Sequence, residues 1–226
     1  MATLYNPNKK RGLFYMPMSG GTGRSTTPPG PAPLAQIDNL NSMSFDGIND
    51  FVDTGQIDIT GTKSVSFWIY PTLSGNDGGI FTMAPTGGTS DLLSIGLWQS
   101  NIQALTSAGV KQRSLQTISI NTWYHIVVVK STNTITNIYI NGVNETLNAT
   151  GLWNGTPANP QSKIGVSRFG SNYNFTGSID EAAIFNTALT AQEVQSIYNA
   201  TAVVDGVNKT ADLSQLTTPP VAWYRM

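Results

Sequence analysis

The chain has no cysteine, and only 11 % of its 226 residues are charged. Without cysteine, neither disulfides nor a cysteine-based zinc site can hold the fold, and folding in a reducing cytoplasm is favoured. Low charge together with 22 glycines and many Asn, Ser and Thr residues is typical of a turn-rich β protein. The composition therefore predicts an all-β fold.

Positive charge is also scarce, because 12 Lys and Arg stand against 13 Asp and Glu. The only dense basic run is Lys9-Lys10-Arg11. Nucleic-acid binding needs clustered cations that neutralise several phosphates, so we expect no nucleic-acid partner. No apolar stretch near the N-terminus has the length of a signal peptide or a membrane span, and neither is expected.

Residues 1–41 differ from the rest of the chain and are predicted to form an extended arm. Pro and Gly are frequent here, including the run Pro28-Pro29-Gly30-Pro31. Such a segment cannot bury a core of its own, so it is either a mobile tail or an arm docked on a neighbouring subunit or on its own domain. The four residues of its apolar cluster are the candidate contacts, namely Leu13, Phe14, Tyr15 and Met16.

Residues 42–199 are predicted to fold as one antiparallel two-sheet jelly-roll sandwich. Residues 64–70, 123–129 and 134–140 are rich in β-branched and aromatic residues, which favours strands. Asn141-Gly142 directly follows the third segment and is a strong signal for a two-residue hairpin.

One short helix is predicted near residues 190–199. Thr190 and Glu193 have the spacing of a capping box, and Val194, Ile197 and Tyr198 follow at helical spacing. Residues 200–226 are predicted to be a polar linker and an isolated strand. That strand either leads into a further module or docks on its own sandwich or a neighbour.

Several segments together resemble the laminin G-like domains of the concanavalin A-like lectin/glucanase superfamily. The order and spacing of these segments match that family across the predicted domain. The resemblance implies a jelly-roll sandwich and a role in binding or adhesion. The segments are residues 42–52, 64–71, 121–126, 138–142 and 175–190.

Within that superfamily, the chain resembles domains of tailed-phage and other virion structural proteins. This resemblance implies a non-enzymatic capsid-decorating, fibre or tail-associated subunit, made in the host cytoplasm and located in the virion. Its partners would be other virion subunits or copies of itself, and a host-surface glycan. Two alternatives stay open: a secreted or surface carbohydrate-binding adhesion module, and a glucanase-type glycoside hydrolase.

Aromatic residues near turns are the candidates for carbohydrate binding. Trp98, Trp153 and Tyr173 lie beside Gly and Asn residues and could stack on a sugar ring. Trp68 and Trp123 lie in predicted core strands and are expected to be buried packing residues.

The superfamily resemblance also suggests a calcium site. In calcium-binding relatives, an acid near the last strand approaches oxygen donors of the Phe-Asp-Gly turn, which here corresponds to Asp46, Asp50 and Asp180. Calcium prefers such mixed oxygen ligands. The alternative is that these acids cap turns and accept backbone amides.

Asp180-Glu181 is the one pair of adjacent carboxylates in an apolar run. If the run is a regular strand, the two side chains point to opposite faces and cannot act together on a glycosidic bond. The acid pattern of the related glucanases is also absent, since Ser178 and Ala183 stand where partner acids would fall. His125, the only histidine, is expected to be structural.

Overall fold

The computed structural model describes residues 33–55, 57, 61–73, 78–83, 93–106, 110–131, 134–152, 162–166 and 173–225. Within these residues the chain forms seventeen strands, one α-helix and one 3-10 helix (Leu213–Gln215). The predicted arm contacts at residues 13–16 lie outside this part of the chain. The strands are β1 (Gln36–Asp38), β2 (Met43–Asp46), β3 (Val52–Gly55), β4 (Lys63–Pro71), β5 (Gly79–Met83), β6 (Leu93–Trp98), β7 (Asn101–Thr106), β8 (Val110–Thr117), β9 (Tyr124–Ser131), β10 (Thr134–Ile140), β11 (Val143–Asn144), β12 (Leu147–Leu152), β13 (Ser162–Ile164), β14 (Thr176–Phe185), β15 (Ala202–Val204), β16 (Val207–Ala211) and β17 (Ala222–Tyr224).

Two large antiparallel sheets form the sandwich that the sequence predicts. Sheet 1 has the order β11-β10-β9-β4-β14-β17, with β2 also paired to β14. Sheet 2 has the order β12-β8-β7-β6-β5-β13-β3. The expected hairpin is present, because Asn141 and Gly142 take positive φ angles of 52° and 80° between the paired residues Ile140 and Val143.

The main core fills the space between the two sheets. Alternation along β4 sends Val65, Phe67 and Ile69 into this core, where they are at most 1 % exposed. Ser66 and Trp68 therefore face outward, on the side of Sheet 1 away from Sheet 2. We call this side the outer face of Sheet 1.

A second apolar cluster covers part of that outer face. Helix α1 (Ala191–Asn199) packs Val194 and Ile197 against Val127 and Phe185 of Sheet 1. The predicted capping box is present, since the Thr190 hydroxyl accepts from the Glu193 amide and the Glu193 carboxylate accepts from the Thr190 amide. Within the described ranges, no helix has the length and apolarity needed to cross a membrane.

The segment predicted as a linker contains regular structure. Strands β15 and β16 form a hairpin, and β16 also pairs with β1, giving a small third sheet. The C-terminal strand docks on its own sandwich, with Ala182, Ala183 and Ile184 of β14 opposite β17. The linker prediction overlooked a local signal, because Asp205-Gly206 has positive φ angles of 51° and 80° between the paired residues Val204 and Val207, as in a two-residue hairpin. The pairings of β16 with β1 and of β17 with β14 are long-range and have no such signal.

Candidate functional site

A groove of about 470 Å³ opens on the outer face of Sheet 1, between the sheet, the β15–β16 hairpin and the segment that follows β1. Its lining combines aromatic and polar side chains. Those that matter for its chemistry are Asn39, Asn41, Trp68, Trp123, Asp180 and Lys209.

Two tryptophans give the groove its apolar surface. Trp68 is stacked on Tyr198 of helix α1, with ring centroids 6.0 Å apart and an interplanar angle of 22°. Trp123 lies 5.4 Å from the Tyr70 ring and is 40 % exposed. The prediction that Trp123 is a buried core residue was wrong: it precedes β9 and faces the groove.

A buried carboxylate supplies the main polar group. Asp180 is only 3 % exposed, and its Oδ2 accepts a hydrogen bond of 2.7 Å from Asn39 Nδ2. Its Oδ1 accepts from the backbone amide of Glu181, also at 2.7 Å. These two bonds fix the orientation of the carboxylate at the groove.

A β-bulge places both carboxylates of the Asp180-Glu181 pair on the outer face. The register with β4 shifts between Asp180 and Ala183, and Glu181 takes a φ of 51°. An extra residue in one strand breaks the strict alternation of faces. The prediction that the two side chains diverge to opposite faces was therefore wrong.

The C-terminal strand holds the second carboxylate. Glu181 accepts hydrogen bonds from Trp223 Nε1 at 2.6 Å and from Arg225 Nε at 3.4 Å, and it is 4 % exposed. Burial raises the pKa of Glu181 above its ordinary value, and the nearby Asp180 adds to this effect. The bonds from Trp223 and Arg225 oppose it, because they favour the charged form.

Charged and apolar side chains border the same groove. Lys209 Nζ donates to an Asp38 carboxylate oxygen, which ties β16 to β1. Leu40 and Val203, both in the lining, are 71 % and 60 % exposed. The opening of the groove is therefore bordered by apolar side chains, while its interior contains the carboxylate of Asp180.

The aromatic residues proposed from the sequence lie elsewhere. Trp98 ends β6 in Sheet 2, and neither Trp98 nor Tyr173 is part of the groove lining. The Tyr173 carbonyl accepts a hydrogen bond from the Gly79 amide at 2.8 Å, which is a structural contact. Trp153 lies outside the described residues. The role of these three residues in binding stays a prediction.

The candidate calcium ligands are only partly brought together. Asp50 Oδ2 accepts from the Asp46 amide at 3.0 Å, and Asp46 Oδ1 accepts from the Ile48 amide at 2.7 Å. Asp46 pairs with Thr176, four positions along β14 from Asp180, a separation of about 13 Å at about 3.3 Å per residue. Among the described residues, no group of three His, Cys, Asp or Glu side chains is placed to hold a metal ion.

His125 lies beneath the aromatic residues of the outer face. It is 1 % exposed, its ring is 5.1 Å from Trp68, and its Nε2 is 2.9 Å from the Ser66 hydroxyl. The Nδ1 atom is buried without a hydrogen-bond partner. Burial lowers the pKa of His125 to about 3, so the ring is neutral at physiological pH.

Sequence reasoning missed most of the groove. Alternation in Phe67-Trp68-Ile69-Tyr70 was a usable signal, because it places Trp68 and Tyr70 together on the face opposite the core residues. No comparable signal marked Asn39 or Lys209, since they reach the groove through the pairing of β1 with β16.

The architecture is that of a lectin-like β-sandwich. The chain belongs to the concanavalin A-like lectin/glucanases superfamily, whose laminin G-like family model matches residues 46–195. No curated protein matches the chain in sequence.

Solved structures agree with this fold. A candidate carbohydrate binding protein from Bacteroides ovatus has a TM-score of 0.55 at 13 % identity, covering 86 % of this chain and 52 % of its own. This chain thus spans about half of that protein. The heptameric SAP-like pentraxin of Limulus polyphemus has a TM-score of 0.54 at 17 % identity. The match covers 75 % of this chain and 90 % of the pentraxin chain. A third similar structure is domain 4 of the extracellular arabinanase AbnA from Geobacillus stearothermophilus, solved with arabinotriose. It has a TM-score of 0.54 at 20 % identity, and the match covers 73 % of this chain and 81 % of that domain.

Proposed function

We propose that this chain is a non-catalytic module that binds a carbohydrate in the groove on the outer face of Sheet 1. The observation that carries the proposal is the half-exposed Trp123 ring in one groove with Asn39 and Asp180. A sugar ring has an apolar C–H face and a hydroxyl edge. An indole suits the first, and amide and carboxylate groups suit the second.

The size and lining of the groove support this proposal. Ligand sites are concave, and their apolar walls carry a few placed polar groups that fix orientation. The groove has this composition, and its volume falls within the usual range for such sites. Two of the similar folds come from proteins described as carbohydrate-binding or solved with an oligosaccharide.

The contacts of the two carboxylates support a non-catalytic role. Glycoside hydrolysis needs an acid and a second carboxylate on either side of the scissile bond. Glu181 is buried and engaged by Trp223 and Arg225, so it does not face a substrate together with Asp180. We expect no release of reducing sugar from β-glucans or arabinan.

Calorimetric titration of the full chain with arabinotriose, cellotriose and chitotriose tests the proposal. We expect at least one to bind, and Trp123→Ala and Asp180→Asn each to weaken that binding about tenfold or more. Leu115→Ala is the control, because Leu115 is 59 % exposed and outside the groove lining. Trp98→Ala examines the alternative location. Loss of binding in Trp98→Ala alone, or no binding of any oligosaccharide, contradicts the proposal.

We propose assembly into a virion as a second function. The resemblance to virion structural proteins supports this role, and Val221, which is 53 % exposed and outside the groove lining, is an apolar contact that a second copy would cover. Sedimentation velocity of the full chain and of a chain lacking residues 1–32 tests this role. A monomer in both, at concentrations up to the millimolar range, overturns it.

A further inference from the structure

A closed network of hydrogen bonds, which we call the circuit, connects the groove with the C-terminal strand. Asn39 Nδ2 and the Glu181 amide both donate to Asp180, at 2.7 Å each. The Glu181 carboxylate accepts from Arg225 Nε at 3.4 Å, and Arg225 Nη2 donates to the Asp38 carbonyl at 2.5 Å. Asp38 precedes Asn39 in the chain, which completes the circuit.

The circuit lies where two strands share one edge of β14. Strand β2 pairs with residues 176–179 and β17 with residues 182–184. The bulge at residues 180 and 181 falls between these two pairings, so neither strand alone fixes its conformation. Glu181 has a positive φ, which costs free energy in a non-glycine residue, so its conformation needs support from its surroundings. The pairing of β14 with β4 gives part of that support, and the contacts made by the Glu181 side chain give another part.

Trp223 and Arg225 supply those contacts. The Trp223 indole donates to Glu181 at 2.6 Å, and Arg225 lies 5.4 Å above the Trp223 ring. Hydrogen bonds to a buried charged group are stronger than those between neutral groups. Both side chains come from residues that follow the predicted linker, far in sequence from the remaining groove residues.

We propose that Trp223 and Arg225 are positioning residues of the carbohydrate site: through Glu181 and Asp38 they set the orientation of Asp180 and Asn39. The inference rests on the proposed function, since it makes β17 a part of the binding site. By thermodynamic reciprocity, a ligand held by Asp180 also stabilises the docking of β17. The C-terminal strand and the glycan thus bind the sandwich cooperatively.

Two variants of the full chain break the circuit with little change in shape. Trp223→Phe keeps an aromatic ring and removes the indole N–H, and Arg225→Met removes the guanidinium. Tyr224→Phe is the matched control on the same strand, since it removes the hydrogen bond of 3.3 Å from the Tyr224 hydroxyl to the Thr54 carbonyl, outside the circuit.

The first measurement needs no ligand. We expect amide hydrogen exchange of Glu181 and residues 39–42 to accelerate about tenfold or more in Trp223→Phe and Arg225→Met, and to stay unchanged in Tyr224→Phe. Exchange in β6 and β7, at the centre of Sheet 2, should be unaltered in all three, which shows that they fold. The carboxyl ¹³C resonance of Glu181 should titrate at higher pH in the first two variants only.

The second measurement uses whichever of arabinotriose, cellotriose and chitotriose binds the wild-type chain. Its affinity should fall about tenfold in Trp223→Phe and Arg225→Met and be retained in Tyr224→Phe, and the bound sugar should slow exchange of β17. Unchanged exchange at Glu181, or equal losses in the Tyr224→Phe control, overturns the positioning role. If no sugar binds the wild type, the proposed function fails, and the exchange data alone decide whether β17 sets the groove.

Discussion

Asn39 Nδ2 donates to Asp180 Oδ2 across 2.7 Å, although the two residues are 141 positions apart in the chain. Asn39 follows the short strand β1, which is held by β16, and Asp180 lies at the bulge of β14. Together with the bond from Arg225 to the Asp38 carbonyl, it connects the small third sheet to Sheet 1 beside the groove. The geometry of the groove therefore depends on elements from both ends of the described chain.

Removing the groove indole should affect stability far less than removing a core ring. Trp123→Ala is expected to lower the free energy of unfolding by about 1 kcal/mol, because the ring is 40 % exposed. Phe67→Ala should cost about 3 to 5 kcal/mol, since Phe67 is 1 % exposed between the sheets. Urea unfolding measures both. Equal losses would show that Trp123 contributes to the core.

Gly177 is expected to tolerate no side chain. Its φ is 141°, and an added Cβ would lie 2.2 Å from the Tyr70 carbonyl oxygen, a backbone atom of the neighbouring strand. Gly177→Ala should cost about 3 kcal/mol or more. Gly206→Ala is the control, because Gly206 has a φ of 80° and an added Cβ would have no atom within 4 Å. Only the left-handed backbone conformation should then lower the free energy of unfolding, by about 1 kcal/mol. Thermal unfolding of both variants separates the clash from the backbone strain.

The buried histidine should make the protein less stable in acid. The pKa of His125 is about 3 in the folded protein, against 6.5 for an exposed histidine, so between these pH values the unfolded chain binds a proton that the folded chain does not. The free energy of unfolding is therefore unaffected by the protonation of His125 above about pH 6.5. Below that pH it falls by up to about 1.4 kcal/mol per pH unit.

Comparison with His125→Gln isolates this effect, because all other titrating groups are shared. Urea unfolding at pH 4.5, 5.5, 6.5 and 7.5 should give a shallower decline in the variant. Parallel curves for the two proteins would show that His125 has the same pKa in the folded and unfolded states, which contradicts this prediction.

Calcium binding stays a prediction, and the structure changes where it should occur. Because Asp46 and Asp50 share one turn and Asp180 does not join them, any calcium-dependent rise in Tm should be lost in Asp50→Ala and kept in Asp180→Asn. Scanning calorimetry in millimolar calcium and in chelator measures it. If the rise in Tm is instead lost in Asp180→Asn, the result would support the three-carboxylate site predicted from the sequence.

Local patterns determined the fold class and the best-defined local elements. Thr190 and Glu193 predicted the helix start, and Asn141-Gly142 predicted the hairpin, because each structure depends on residues next to one another in the chain. Alternating apolar residues predicted the strands of the sandwich, since burial of one face requires period two. These features also carry the superfamily resemblance.

Tertiary structure alone decided the groove. The bulge at Asp180 and Glu181 is a register shift between β14 and β4, and it lies between the pairings of β14 with β2 and β17. No local pattern in GSIDEAAIF encodes that arrangement. The exposure of Trp123 likewise depends on which surfaces the β15–β16 hairpin and helix α1 leave uncovered. Sequence periodicity specifies which face a strand buries, but a binding site is formed by side chains whose distances are set by long-range strand pairing.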